Sequence, residues 1–248
     1  MPTCRTLALV IRSVEVFESS LVVTLFTREL GKASALAKGA RRLKSPFQGG
    51  LDLLSVSDVV LLTRGSDSLD LLTESAPVER FPAPRTSLEA LYTGFHIAEL
   101  LADLTDDHDP HPRLFDAARV TLRHCGDAEA RRRRLARFEL FCLRELGLLP
   151  ILNRCTQCGR EIKIVGDLVA FGLASGGVLC HECRPGVAHV VLITPEELEA
   201  IRVLSSPGDG WRTLEESSAP SVAARRTIGL VLSHVMGKRP RFRPLVGV

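Results

Sequence analysis

The chain has 248 residues, 45% of them hydrophobic and 25% charged. These are globular proportions, which exclude wholesale disorder. No apolar run nears the ~20 residues that a membrane-spanning helix needs, which excludes an integral helical membrane protein. Residues 1–11 carry one arginine and a short apolar stretch without a small-residue cleavage site, arguing against secretion. The net charge of +3 hides a segregation: residues 28–44 carry +5, residues 131–144 carry +5 and residues 225–243 carry +6, leaving −13 for the rest. An acidic body with three concentrated basic segments points to a polyanionic partner.

Taken in chain order, the stretch from Met1 to Arg80 reads as short strands. Apolar or β-branched runs fall at residues 7–11, 21–27, 32–37, 56–62 and 68–73, with a turn at Gly65-Ser-Asp67 between the last two. Five such strands predict a small closed barrel, for which an OB-fold and an SH3-like barrel fit the strand count equally. Residues 79–85 hold two prolines in three positions and mark a boundary. Helical spacing follows. Thr86 or Ser87 caps a helix with Leu88, Leu91, Phe95, Ala98 and Leu101 on one face. Pro112 opens a second helix carrying Leu114, Ala118 and Leu122. A third begins at Asp127 and ends by Gly147, with Pro150 beyond. Two more helices, from Thr194 and over residues 222–236, lead to a basic, proline-broken tail at residues 238–244.

The predicted fold class is thus multidomain α+β. It comprises an N-terminal barrel (residues 1–80) and the first part of a helical domain (81–150). An inserted finger (151–190) and C-terminal helices packing on the helical domain (191–248) complete it.

The strongest chemical signal is Cys155-Thr-Gln-Cys158 followed, across a longer spacer, by Cys180-His-Glu-Cys183. Two C-x2-C turns each present a pair of sulfurs, the donor set that Zn(II) takes tetrahedrally at about 2.3 Å. Gly159 and Pro185-Gly186 supply the tight turns, and residues 169–171 and 178–179 suit a hairpin between them. Four thiolates leave no open coordination position, so the expected Zn2+ is one structural ion. An odd total of seven cysteines without a secretion signal fits a reducing compartment. Cys4, Cys125 and Cys142 read as small buried hydrophobes.

Two basic segments supply candidate nucleic-acid contacts. Lys38, Arg41, Arg42 and Lys44 surround Gly39 just after the third strand, with Arg28 and Lys32 on the preceding turn. Such a loop tracks a sugar-phosphate backbone. On the third helix Leu135, Phe138, Cys142 and Leu146 share one face, beside which Arg133, Arg134, Arg137 and Arg144 form a positive stripe. With one Trp and one Tyr in the chain, base stacking has no evident platform, so phosphate contacts should dominate and binding should be sequence-neutral and salt-dependent. There is no phosphate loop, no HExxH and no GxSxG, and the seven histidines form no evident catalytic pair; no enzymatic activity is expected. The other class of reading is a zinc-stabilised adaptor whose basic segments dock acidic protein tails.

Several motifs occur in order: Thr27-Arg-Glu-Leu-Gly-Lys32, Ala37-Lys-Gly-Ala-Arg-Arg42, Ser45-Pro-Phe-Gln48, Arg137-Phe-Glu-Leu140, Leu146-Gly-Leu-Leu-Pro150, Cys155-Thr-Gln-Cys-Gly159 and Gly176-Gly-Val-Leu-Cys180. Together they resemble the bacterial recombination mediator RecO family. The resemblance implies an N-terminal OB-fold, a helical domain and a four-cysteine zinc finger. It also implies binding of single- and double-stranded DNA (ssDNA and dsDNA), ATP-independent strand annealing and cooperation with RecR. That cooperation serves to load RecA onto strands coated by the single-strand-binding protein SSB, whose acidic C-terminal tail the family also binds. The location implied is cytoplasmic, at the nucleoid, with no membrane partner. Carried across, Arg28, Lys32, Lys38, Arg41, Arg42 and Lys44 fall in the family's barrel, and Arg133, Arg134 and Arg137 in its helical domain.

Overall fold

The computed structural model describes residues 2–47, 49–63, 68–164 and 166–247; the turn expected at Gly65-Ser-Asp67 lies outside them. The chain forms two compact units, Met1–Gly126 and Asp127–Val248.

In the first unit, β1 (Thr3–Val16), β2 (Ser20–Thr27), β3 (Gly31–Ala37), β4 (Ser55–Leu62) and β5 (Asp70–Arg80) pair as a barrel in the order β1-β2-β3-β5-β4, with β4 returning to β1. All pairings are antiparallel except β3–β5, which is parallel over three residue pairs. The alternation within β3 explains its inward face: Ala33, Ala35 and Ala37 are fully buried while Lys32, Ser34 and Leu36 are half-buried. With alanines on that wall, Phe47 fits among Val10, Val23, Leu25, Val59, Leu61 and Leu72. The loop carrying Phe47 is pinned at Gly50, whose carbonyl accepts from Ser57 Oγ and Ser75 Oγ, both at 2.7 Å.

Two strands are longer than hydrophobic runs alone foretell. β1 continues to Val16 as a solvent-facing ribbon with β2, and β5 continues through Pro77 to Arg80. Pro77 lacks an N–H, and it sits opposite Ser57 where the register shifts, an irregularity that tolerates proline. The boundary expected at residues 79–85 therefore begins inside a strand, and only the short α1 (Ala83–Thr86) separates it from α2 (Leu88–Leu104).

Ser87 Oγ caps α2 by accepting from the Ala90 N–H. The buried face of α2 is offset from the one its leucines suggest. Ala90, Thr93, Gly94, Ile97 and Leu101 are buried, whereas Leu88 is exposed and Leu91 and Phe95 are half-buried. Small residues on the packed side admit close approach: a Cβ on Gly94 would lie 2.5 Å from Leu54 Cδ1. α3 (Pro112–Arg123) buries Leu114, Ala118 and Leu122 at the expected spacing, with Phe115 beside them. Both helices lie in the same compact unit as the barrel, so the unit boundary at residue 126 falls inside the stretch 81–150 read from sequence as one helical domain.

The second unit is built on α4 (Arg131–Glu145), against which α5 (Pro195–Ser205) and α6 (Ala219–Val235) pack. Thr194 and Ser218 cap α5 and α6. Between α4 and α5, β6 (Val169–Gly172) pairs with β7 (Gly177–Leu179) as the expected hairpin, and β8 (Val190–Ile193) adds a third strand in the order β7-β6-β8. Among the described residues, no helix is long and apolar enough to cross a membrane.

Candidate functional site

The two C-x2-C turns converge. The sulfurs of Cys155, Cys158, Cys180 and Cys183 all lie within 4.8 Å of one another, with Cys158 Sγ and Cys180 Sγ 3.8 Å apart. Backbone hydrogen bonds set each turn: Gly159 N–H donates to Cys155 O at 2.9 Å and Cys183 N–H to Cys180 O at 3.2 Å. Gly159 has φ +71° and Gly186 +82°, which a side chain would strain. Arg160 and Glu182 form an ion pair that ties one turn to the other. Beneath the sulfurs, Cys155, Ala170 and Leu179 form a small core with Ile162, Val187 and Val190 packed on it.

The cluster fits a metal ion. A tetrahedral ion with bonds of about 2.3 Å requires sulfur–sulfur edges near 3.8 Å. Backbone amides are already aimed at the sulfurs. Burial pushes the Cys155 thiol up, but N–H groups of Cys180, Cys158 and Gln157 outweigh it and bring the pKa down to about 6. Cys158 is also lowered, by the Arg160 N–H and then its guanidinium. Cys183 moves the other way, to about 12, because Cys180 hydrogen-bonds it and burial adds to the effect. Such a set favours thiolate on some sulfurs and resists a further negative charge on the last, the imbalance that a cation relieves.

The basic side chains singled out from sequence fall into three environments. Lys38, Arg41, Arg42 and Lys44 are all exposed on the loop after β3. Arg41 pairs with Glu15 at 2.8 Å. Among the described residues Lys38, Arg42 and Lys44 make no ion pair. Arg28 is held by Asp116 at 3.0 Å and by Glu29, which raise its pKa further. Lys32 is turned into the unit: its Nζ donates to Ala102 O at 2.7 Å and Thr105 O at 2.6 Å, with Asp107 at 3.5 Å. It therefore closes the C-terminal end of α2.

Arg133, Arg134 and Arg137 of α4 are half-buried around Trp211, the chain's one tryptophan. The guanidinium carbons of Arg133, Arg134 and Arg137 lie 5.8, 5.3 and 5.4 Å from the indole centroid, with Arg212 at 5.6 Å. Arg137 also donates to Leu204 O, Ser206 O and Gly208 O at 2.8–3.1 Å, and burial lowers its pKa. Arg133 donates to Leu214 O, and Arg134 lies 3.6 Å from Asp127. The Glu216 carboxylate accepts from the backbone N–H groups of Arg132 and Arg133, closing the N-terminal end of α4. Carbonyls and an indole carry no net charge, so Arg133 and Arg137 keep their positive field while losing freedom of movement. Neither Trp211 nor Glu216 was legible as a partner, since each lies far along the chain from the arginines it meets.

Residues 1–81 match the family model "Recombination protein O N terminal" and residues 85–241 match "Recombination protein O C terminal". The chain belongs to the RecO family of DNA repair proteins. It is 47% identical to DNA repair protein RecO of Rhodopirellula baltica over 203 residues, covering 81% of this chain and 74% of that protein. It is 36% identical to DNA repair protein RecO of Anaeromyxobacter dehalogenans (strain 2CP-C) over 242 residues, covering 96% of this chain and 94% of that one. It is 37% identical to the Salinibacter ruber protein of the same name over 182 residues, 73% of this chain and 68% of that one. The RecO resemblance read from motifs thus extends to both halves of the chain.

Proposed function

We propose that this chain is a recombination mediator that binds ssDNA and dsDNA, anneals complementary strands without ATP, and acts with RecR to load RecA onto SSB-coated ssDNA. In this reading the N-terminal barrel is an OB-fold, the four thiolates hold one structural Zn2+, and the protein also receives the acidic C-terminal tail of SSB. It works in the cytoplasm at the nucleoid and performs no catalysis of its own.

The observation that carries the reading is the exposed loop after β3, where Lys38, Arg42 and Lys44 make no ion pair among the described residues. Cations of this kind neutralise phosphates and release condensed counterions, a gain independent of sequence. Two complementary strands repel each other. A protein that grips their phosphates lowers that repulsion and leaves base edges free, so base pairing itself supplies the free energy and no nucleotide is consumed. Arg133 and Arg137, fixed around Trp211, would add a stationary positive field, whereas Arg134, Arg28 and Lys32 face acidic partners and would contribute less.

The test is fluorescence anisotropy of labelled ssDNA and dsDNA across a salt series, with the double variant Lys38→Glu/Arg42→Glu. The expected result is a steep fall of log affinity with log salt in the wild type and a shallower, weaker curve in the variant. Equal affinity of both proteins at low salt would exclude this loop as the phosphate grip.

A further inference from the structure

We infer that Phe17 is a base-stacking platform for single-stranded DNA, set at the tip of the β1–β2 hairpin beside the cationic loop after β3. The inference rests on the DNA-binding reading above and assigns the stacking function that the sequence left without an owner.

Phe17 is 86% exposed, and among the described residues it makes no ring contact. It has φ +54°, a region that non-glycine residues enter rarely and bulky ones least of all. A hairpin tip that needed only to turn would do so more easily with Asn or Gly, yet here a bulky side chain disfavoured at positive φ occupies the position and turns an aromatic ring to water.

What surrounds the ring defines its partner. The hairpin and the cationic loop are stitched together. Arg41 N–H donates to Ser19 O at 3.0 Å, Gly39 N–H to Ser20 Oγ at 3.4 Å, and Arg41 pairs with Glu15 at 2.8 Å. Phe17 therefore shares its end of the barrel with Lys38, Arg41, Arg42 and Lys44, and with Leu43, which is 96% exposed. Glu15 and Glu18 offset part of that charge, and the balance stays positive. An acidic or neutral protein surface would satisfy the cations or the ring. A single strand satisfies both, since its phosphates repeat along the loop while a splayed base offers a flat face to the ring. Duplex DNA keeps its bases stacked inside and can use only the cations.

The experiment uses the full chain and three probes: an oligothymidylate, an abasic oligomer of equal length and charge, and a duplex. Asn suits positive φ, so Phe17→Asn should keep or raise the melting midpoint while removing the ring. It should weaken oligothymidylate binding by about 5- to 100-fold, leaving abasic and duplex affinities and the salt slope unchanged. Phe17→Tyr should restore the wild-type value. Equal oligothymidylate affinity in Phe17→Asn and wild type, or an equal loss on all three probes, would overturn the stacking assignment while leaving the phosphate grip standing. If the wild type binds none of the probes, the DNA reading falls with it.

Discussion

The guanidinium of Arg243 lies 2.9 Å from Glu139 Oε1, and both side chains are buried, although 104 residues separate them in sequence. Arg243 also donates to the Arg225 carbonyl, and Arg225 in turn donates to Glu216 O at 2.9 Å. Two of the six cations in the basic segment 225–243 therefore serve the interior of the second unit. Removing either partner strands a buried charge, so Arg243→Met alone should cost about 3–5 kcal/mol in denaturant unfolding, and Glu139→Leu/Arg243→Met should recover most of that loss. Gly229→Ala offers an independent check. A Cβ there would lie 2.1 Å from Arg243 Nη1, so the substitution should destabilise the unit despite alanine's better helix propensity. A neutral Gly229→Ala would mean that Arg243 has room to move.

Removal of metal should act locally. A chelator, or Cys155→Ser, should release one equivalent of zinc by elemental analysis and accelerate amide exchange in β6 and β7, because metal binding supplies much of the folding free energy of such a module. Amides of β1 to β5 should exchange as before. Metal binds the thiolate and not the thiol, so metal affinity of the four-cysteine cluster should also fall as the pH is lowered. A wild-type protein purified without a tetrahedral thiolate-bound metal would defeat the assignment.

The four-cysteine cluster was legible because its parts are local: four cysteines, their glycines and the β6–β7 hairpin all lie between Cys155 and Gly186, whereas β8, which completes the sheet, lies beyond them. The barrel strands were legible for the same reason, each marked by its own apolar or β-branched run. Sequence failed where an element depends on something distant. β5 runs through Pro77 only because the opposing strand shifts register at Ser57. The packed face of α2 is set by Gly94 and Ala90 meeting a neighbouring wall, which leucine spacing does not encode. The arginine stripe of α4 was visible, but not its occupants, because carbonyls at the end of α5 and the indole of Trp211 leave no trace in residue periodicity. A list of cations read from sequence mixes those that bind a partner with those that hold the fold.

Lys32 and Lys38, close neighbours in sequence, should separate those two duties. Lys32→Ala removes the cation from Ala102 O and Thr105 O and should cost about 1.5–3 kcal/mol in unfolding experiments. Its effect on DNA affinity should follow only from the unfolded fraction. Lys38→Ala should leave stability unchanged and lower the salt slope of DNA binding by about 1, the mark of one lost phosphate contact. The reverse pattern would mean that the cationic loop is structural and that Lys32 reaches solvent when DNA binds.

Arg119 and Arg123 of α3 both donate to the Glu79 carboxylate at the end of β5, with Arg123 Nη2 at 3.0 Å from Oε2. Burial alone would raise the Glu79 carboxyl, but the two guanidinium groups outweigh it and hold it below the usual carboxylate range. A carboxylate depressed in the folded state stabilises fully above its unfolded pKa of about 4.3, and that contribution is lost as the pH falls through the folded value. Glu79→Gln should therefore be less stable than wild type at pH 7 by about 1 kcal/mol, a modest figure because Arg123 is partly exposed and screened. The gap should narrow as the pH falls below the unfolded value of about 4.3 and close once it has passed the lower folded value, where the wild-type carboxylate takes up its proton. Chemical denaturation of both proteins across that range measures it, and a gap that stays constant would show that the clamp works through shape and hydrogen bonding alone.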